Sequence, residues 1–449
     1  MLAKYKIFFI SLIIAPLIAS GLTACKEDGA GNENRPGFDS AENYISGILI
    51  SLPESRSGED VITGNGNDSD TEPDEIDGWK VIKTNRYDLS DLKEFDIKFD
   101  ETTTVFVSQM TSSIPAFQND DVTYAYSHIP DTDDATWEEG YNFTPSSTDT
   151  PLEWYKIGNG GTYHGGFSLY AMLFPLENEI REKRNDDGSQ ITYSVMPDQR
   201  NREDLIKSDI LGGFHSTAEL FSRLRFRMFH MMSYIRVRLY VPVYDETTRT
   251  GFPENAIEYA TLDNVTTEFG VEWRASISSD TDSPLLVPMK GDGKIFMYQH
   301  PLADGQDGHD LGLVKYKDFI GNYYDQGITG DYDKVRIYDF SVLLPMQKER
   351  ANENDDTPSF LNTQFLNFYV RSSSGATTRY YFSQDLNGTT GTESSNADEN
   401  SGTVQIAQGK IQYLQLYVPR VGNKIVFVSA KVNPWKQRST SLAMTQTPE

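Results

Sequence analysis

The run SRLRFRMFHMMSYIRVRLYVP, residues 222 to 242, restricts the fold more than any other part of the chain. In its first half Leu224, Phe226 and Met228 alternate with Arg223, Arg225 and Arg227; in its second, Ile235, Val237, Leu239 and Val241 alternate with Arg236 and Arg238. A period of two is the spacing of a β-strand, whose successive side chains point to opposite faces. The parity of the apolar set flips between residues 229 and 234, so the run requires a bulge or a break between two strands. Five arginines on the polar face would form an anion-binding stripe, but pairing with carboxylates on neighbouring strands is the commoner use of such charges. His230 keeps the parity of Leu224 to Met228 and reads as a buried, hydrogen-bonded histidine with no companion that would make it a base.

Short runs of the same kind recur between clusters of Gly, Asn, Asp and Pro. They are 102–110, 122–129, 165–175, 334–345, 365–374, 410–419 and 424–432. Many short strands with polar turns imply an all-β fold of β-sandwiches, and no internal repeat of fixed period is present. With 38% hydrophobic and 12% aromatic residues the chain can bury a real core, and its length implies two domains or three. Two stretches read as surface loops: 54–78, rich in acids, and 384–403, almost free of apolar side chains. Asp68, Asp70 and Glu72 offer alternating oxygens that suit calcium. They lack the glycine and distal glutamate of a calcium loop, so a solvated acidic loop is the favoured reading, as for Asp304, Asp307 and Asp310.

Acidity excludes one class of partner. The formal net charge is −26, and a nucleic acid partner requires a basic face that this chain lacks. The motifs H-E-x-x-H and G-x-S-x-G and a phosphate-binding loop are absent, and the carboxylates are too numerous to single out a pair. The sequence therefore reads as non-enzymatic, with no cofactor and no metal site. The lone cysteine, Cys25, can form no internal disulfide.

Its position gives Cys25 another role. Lys4 and Lys6 precede the apolar stretch 7–20, which is too short to span a bilayer and has the form of a secretory signal peptide over residues 1–24. Leu22-Thr23-Ala24-Cys25 resembles the lipobox of bacterial lipoproteins, which implies acylation of Cys25 and anchorage through lipid alone. Lys26, Glu27 and Asp28 resemble the export signal that Bacteroidetes use to send lipoproteins to the outer face of the outer membrane. Removing residues 1–25 subtracts two lysines and no acids, so 38 basic residues face 66 acidic ones and the mature charge is −28.

Several stretches together resemble the fimbrillin family, the pilins and pilin-like lipoproteins of Bacteroidetes. They are Phe229-His230 within the two-phase run, Ser208-Asp209-Ile210-Leu211 upstream, Tyr170 to Pro175, and the ending GKIQYLQLYVP…GNKIVFVSAKVNPW with Trp435. The resemblance covers most of residues 43 to 437. It implies a linker over 25–42, two tandem transthyretin-like β-sandwich domains at 43–217 and 218–437, and a tail at 438–449. It also implies a pilus subunit or adhesive surface lipoprotein whose partners are other pilus subunits: a protease removes the first strand, and a strand of the next subunit fills the groove. The first strand here is 43–52, apolar on both faces and so expected to be covered on both. Arg56, in the exposed turn LPESRSGED, is the candidate cleavage site. The tail lacks an alternating apolar pattern, which favours a tip, anchor or accessory role over a shaft. The alternative is a surface lipoprotein that binds glycans through Trp137, Trp154, Tyr155, Tyr141 and Phe143.

Overall fold

A computed structural model describes residues 44–45, 47–51, 62–63, 73–84, 86–87, 103–111, 121–126, 141–145, 152–153, 167–173, 192–217, 223–272, 285–288, 293–302, 308–315, 330–347, 365–382, 406 and 408–434. These residues form strands throughout and one six-residue helix, so the fold is all-β. Each of the seven runs that alternate in the sequence contains a strand, among them Thr104–Thr111, Phe167–Leu173 and Lys410–Tyr417.

Seven strands of the N-terminal half close into a barrel. Its order is Thr104–Thr111, Phe167–Leu173, Leu211–Thr217, Arg223–His230, Gly47–Ser51, Tyr141–Pro145 and Asp121–Tyr126, which pairs again with the first. Every neighbour is antiparallel except one: Gly47–Ser51 runs parallel to Arg223–His230. Closure removes the free edges that a single antiparallel sheet would expose.

The two-phase run resolves as its parity requires. Arg223–His230 ends in the barrel, Met231 and Met232 break the pattern, and Ser233–Pro242 enters a different sheet. Both methionines are fully buried. Gly212, on the neighbouring barrel strand, admits Met231: a Cβ built there would lie 2.1 Å from the methionine sulfur. Close approach, not turn geometry, demands this glycine.

The C-terminal half stacks two sheets. One is six-stranded, in the order Tyr298–Gln299, Tyr332–Leu344, Ser233–Pro242, Lys410–Tyr417 and Val426–Pro434, with Leu311–Lys315 also on Tyr332–Leu344. The other is four-stranded, in the order Gly293–Phe296, Ile257–Val265, Leu366–Arg371 and Thr377–Phe382. Between them lies the main core, with Ile235, Val237 and Leu239 meeting Phe340, Phe368 and Leu414. Two buried glutamines stitch it like extra strand residues. Gln199 donates to the Leu343 carbonyl at 2.8 Å and accepts from its N–H at 2.9 Å; Gln347 does the same to Thr266 at 3.0 and 2.8 Å.

Ser233–Pro242 is buried almost end to end, because the second face of its sheet is covered too. Tyr240, Val314, Val335, Tyr417 and Val426 form a smaller core there, with Ile82 packed against it. Ile82 belongs to a strap, residues 74–84, that opens with the hairpin Glu75–Ile76 and Trp79–Lys80 around Asp77-Gly78, both at positive φ. The reading of 54–78 as loop therefore fails at its end, and Ile62–Thr63 is also a strand, paired with Arg86–Tyr87. An Asp-Gly pair between extended residues is a hairpin signal. The strap crosses the sheet: Ile82 N–H donates to Leu313 O, Lys334 Nζ stands 3.3 Å from the Trp79 ring centroid, and Ser429 Oγ donates to Thr84 O. Gly312 makes room, since a Cβ there would meet Ile82 Cδ1 at 2.7 Å.

Candidate functional site: the first strand and its groove

Gly47–Ser51 sits between two partners. Ile48 registers with Leu224 on one side and Phe143 on the other, and Ile50 with Phe226 and Tyr141. Ile48, Leu49 and Ile50 are 2%, 0% and 0% exposed, so the strand is covered on both faces as its sequence anticipates. Just before it, Tyr44–Ile45 pairs with Leu152–Glu153, and Ile45 is buried. The groove is lined by Leu224, Phe226 and Met228, which share one face of Arg223–His230 and are all buried. Four buried aliphatic side chains at about 1.5–3 kcal/mol each give this segment roughly 6–12 kcal/mol, comparable with the net stability of a whole domain.

The arginines divide by face and by sheet. Arg225 and Arg227 are exposed on the outer side of the barrel, beside Leu49 and Ser51 of the first strand. Arg236 is buried, contrary to its expected place on an outer face, because that face of the six-stranded sheet is covered. Arg238 forms a two-pronged bond to Asp339, directly opposite in register, with both distances 2.9 Å. Burial opposes ionisation of Asp339, yet the Arg238 guanidinium prevails and holds its carboxyl below the usual carboxylate range. Pairing with a neighbouring strand is thus the observed use of Arg238.

At the end of the groove strand, His230 Nδ1 meets Asp209 Oδ2 at 2.8 Å, with side-chain exposures of 6% and 0%. His230 is buried and hydrogen-bonded as read, but its companion escaped the sequence reading. Asp209 precedes Ile210-Leu211, and an acid abutting an apolar strand start is the signal that could have found it. Such a buried pair has no access to a substrate, and its place at the seam between barrel and sheets gives it a packing role.

The other sequence candidates distribute as follows. Cys25, Lys26, Glu27, Asp28 and Arg56 lie outside the described residues, as do Asp68, Asp70, Glu72, Asp304, Asp307, Trp137, Trp154, Tyr155 and Trp435. Phe143 is 1% exposed and turned into the barrel, so it offers no platform to a sugar. Among the described residues no group of three or more His, Cys, Asp or Glu side chains is placed to hold a metal ion. No helix among them is long and apolar enough to cross a membrane.

No family model matches the chain, and no curated protein matches it. Solved structures give low-scoring likenesses. A protein described as a cell adhesion protein from Bacteroides uniformis has a TM-score of 0.40 at 10% identity, over 76% of this chain and 95% of that one. A second, from Bacteroides ovatus, has 0.40 at 10% identity over 86% and 97%. The tip fimbrial protein Mfa3 of Porphyromonas gingivalis, solved with its C-terminus truncated, has 0.34 at 8% identity over 75% and 95%. Scores this low do not establish a shared fold.

Proposed function

We propose that this chain is a surface lipoprotein that serves as a structural or adhesive component of a pilus, in a shaft, tip, anchor or accessory position, and assembles by strand addition. The observation that carries the reading is the single parallel strand of the barrel, Gly47–Ser51, laid between two partners and buried on both faces. Lifting it out would leave an apolar groove between Arg223–His230 and Tyr141–Pro145, with main-chain groups unpaired along both walls. Refilling that groove from a second subunit makes a head-to-tail contact, and repetition of such contacts makes a filament.

In this reading Cys25 carries the acyl chains, Lys26, Glu27 and Asp28 direct the protein to the outer face of the outer membrane, and Arg56 is the bond cut. Cleavage after Arg56 separates the first strand and its lipid from the rest. No catalytic step, metal or cofactor is involved. Mass spectrometry of surface material, with and without Arg56→Ala, tests the reading alongside electron microscopy of filaments. Wild-type filaments should hold chains beginning at Ser57, and the variant should remain lipid-bearing and unpolymerised. Filaments built from chains that still begin at Cys25 would exclude strand replacement.

A further inference from the structure

We propose that the outward face of the four-stranded sheet is a saccharide site, built to hold a neutral pyranose ring between tyrosines and a buried threonine. Such a site would serve the chain whether or not its first strand is replaced. Ala260, Leu262, Ile295 and Phe368 of this sheet point into the main core, so the residues that alternate with them point away from it. Tyr259, Phe296 and Tyr369 are among these and remain half-buried. The Tyr259 and Tyr369 rings, paired across two strands, stack at 4.3 Å, and Phe296 lies 5.7 Å from Tyr259. An outward sheet face is ordinarily polar, and aromatic rings grouped on one supply the apolar surface against which the C–H face of a sugar packs.

Thr261 lies at the centre of this face, in register with Phe296 on one side and Asn367 on the other. It is 0% exposed, and its hydroxyl makes no hydrogen bond to the protein. Asp263, next on the same face, is held in place: Arg379 Nε donates to Asn367 Oδ1 at 2.7 Å, and Asn367 Nδ2 donates to Asp263 Oδ2 at 3.0 Å. That leaves Asp263 Oδ1 buried without a hydrogen bond. Native structures rarely leave such atoms unmet, and two of them beside aromatic rings mark a place for a ligand's hydroxyls. The Lys294 ammonium stands between the rings and this carboxylate, 5.6 Å from the Phe296 centroid, 5.7 Å from that of Tyr369 and 3.6 Å from Asp263 Oδ1. Its side chain is 43% exposed and flexible, so an entering ring displaces it at little cost. At the rim Arg371 pairs with Glu258 and Arg200 with Asp198, so cations and carboxylates are mixed and a ligand of either net charge meets repulsion as well as attraction. A neutral ligand that both donates and accepts hydrogen bonds fits, and the adjacent hydroxyls of a pyranose do both.

The uncut full chain is the material for the test, with strand exchange out of play. On an array of neutral oligosaccharides ending in glucose, galactose, mannose, fucose or an N-acetylhexosamine it should bind a subset, and Tyr369→Ala should weaken that binding roughly tenfold. Thr261→Val keeps the shape and removes the hydroxyl. It should weaken binding about 2- to 10-fold while leaving the unfolding midpoint unchanged or raised, because the hydroxyl has no protein partner to lose. The sugar that binds should also slow nitration of Tyr259 and Tyr369 by tetranitromethane, but not that of Tyr244, which follows Ser233–Pro242 in the other sheet. Binding of no sugar on the array, or binding indifferent to both substitutions, would overturn the proposal and leave strand replacement untouched. Asialofetuin held through Tyr369 as tightly after deglycosylation as before would give the face to a protein partner and overturn the saccharide assignment.

Discussion

Gln199 shows how much of the C-terminal core depends on single polar side chains. Its amide satisfies both main-chain groups of Leu343, deep under Tyr332–Leu344, from a segment far away in sequence. Gln199→Leu keeps the volume but leaves a buried N–H and C=O unpaired, which should cost about 2–4 kcal/mol in denaturant unfolding. A loss under about 0.5 kcal/mol would mean that the neighbouring backbone re-pairs. Asp339 gives a second case, with a pH signature. Its folded-state pKa is depressed, so its stabilising effect is complete above the ordinary carboxylate range and fades as pH falls through the folded value. Asp339→Asn should therefore lower stability by about 2 kcal/mol at pH 7, between the values for exposed and fully buried pairs, and by much less near pH 3. Equal losses at both pH values would assign the effect to packing.

At the scale of elements, alternation carried most of what could be read. The break at Met231-Met232, the buried His230 and the two-sided burial of Gly47–Ser51 all follow from side-chain parity, which is local information. What parity could not give is which strands become neighbours. The parallel pairing of Gly47–Ser51 with Arg223–His230 joins residues remote in sequence, and the smaller core around Tyr240 is completed by Ile82, from a strap elsewhere in the chain. The short helix Arg202–Lys207 was also legible after the fact: Asn201 caps it by accepting from the Asp204 N–H at 2.8 Å, and acids fill its first turn. The strap makes its own prediction. Burial, and secondarily Arg336, lowers the Lys334 pKa, yet the ammonium still stands over Trp79. Ile82→Ala should cost about 1–3 kcal/mol and speed amide exchange at Val81 and Ile82 while leaving the barrel amides unchanged. Barrel amides that loosen equally would show the strap to be part of one cooperative unit.

For the whole molecule the leading question is where it resides. Replacing Lys26, Glu27 and Asp28 together by alanine should leave acylation of Cys25 intact but protect the protein from protease added to whole cells. Undiminished digestion would remove the export role from those residues. In the proposed pilus role the chain would carry tension, and the seam at Met231-Met232 is where a pull on the barrel would enter the sheets. There the chain runs into the middle of a sheet: Ser233–Pro242 is laddered to Tyr332–Leu344 from Ser233 opposite Leu344 to Pro242 opposite Val335, and on its other side to Lys410–Tyr417. A force along that strand shears both ladders at once, so their hydrogen bonds share the load and must fail together. A strand peeled from a sheet edge would lose them one at a time. In that role the seam would transmit drag, and under a steady pull the barrel should yield before the junction does.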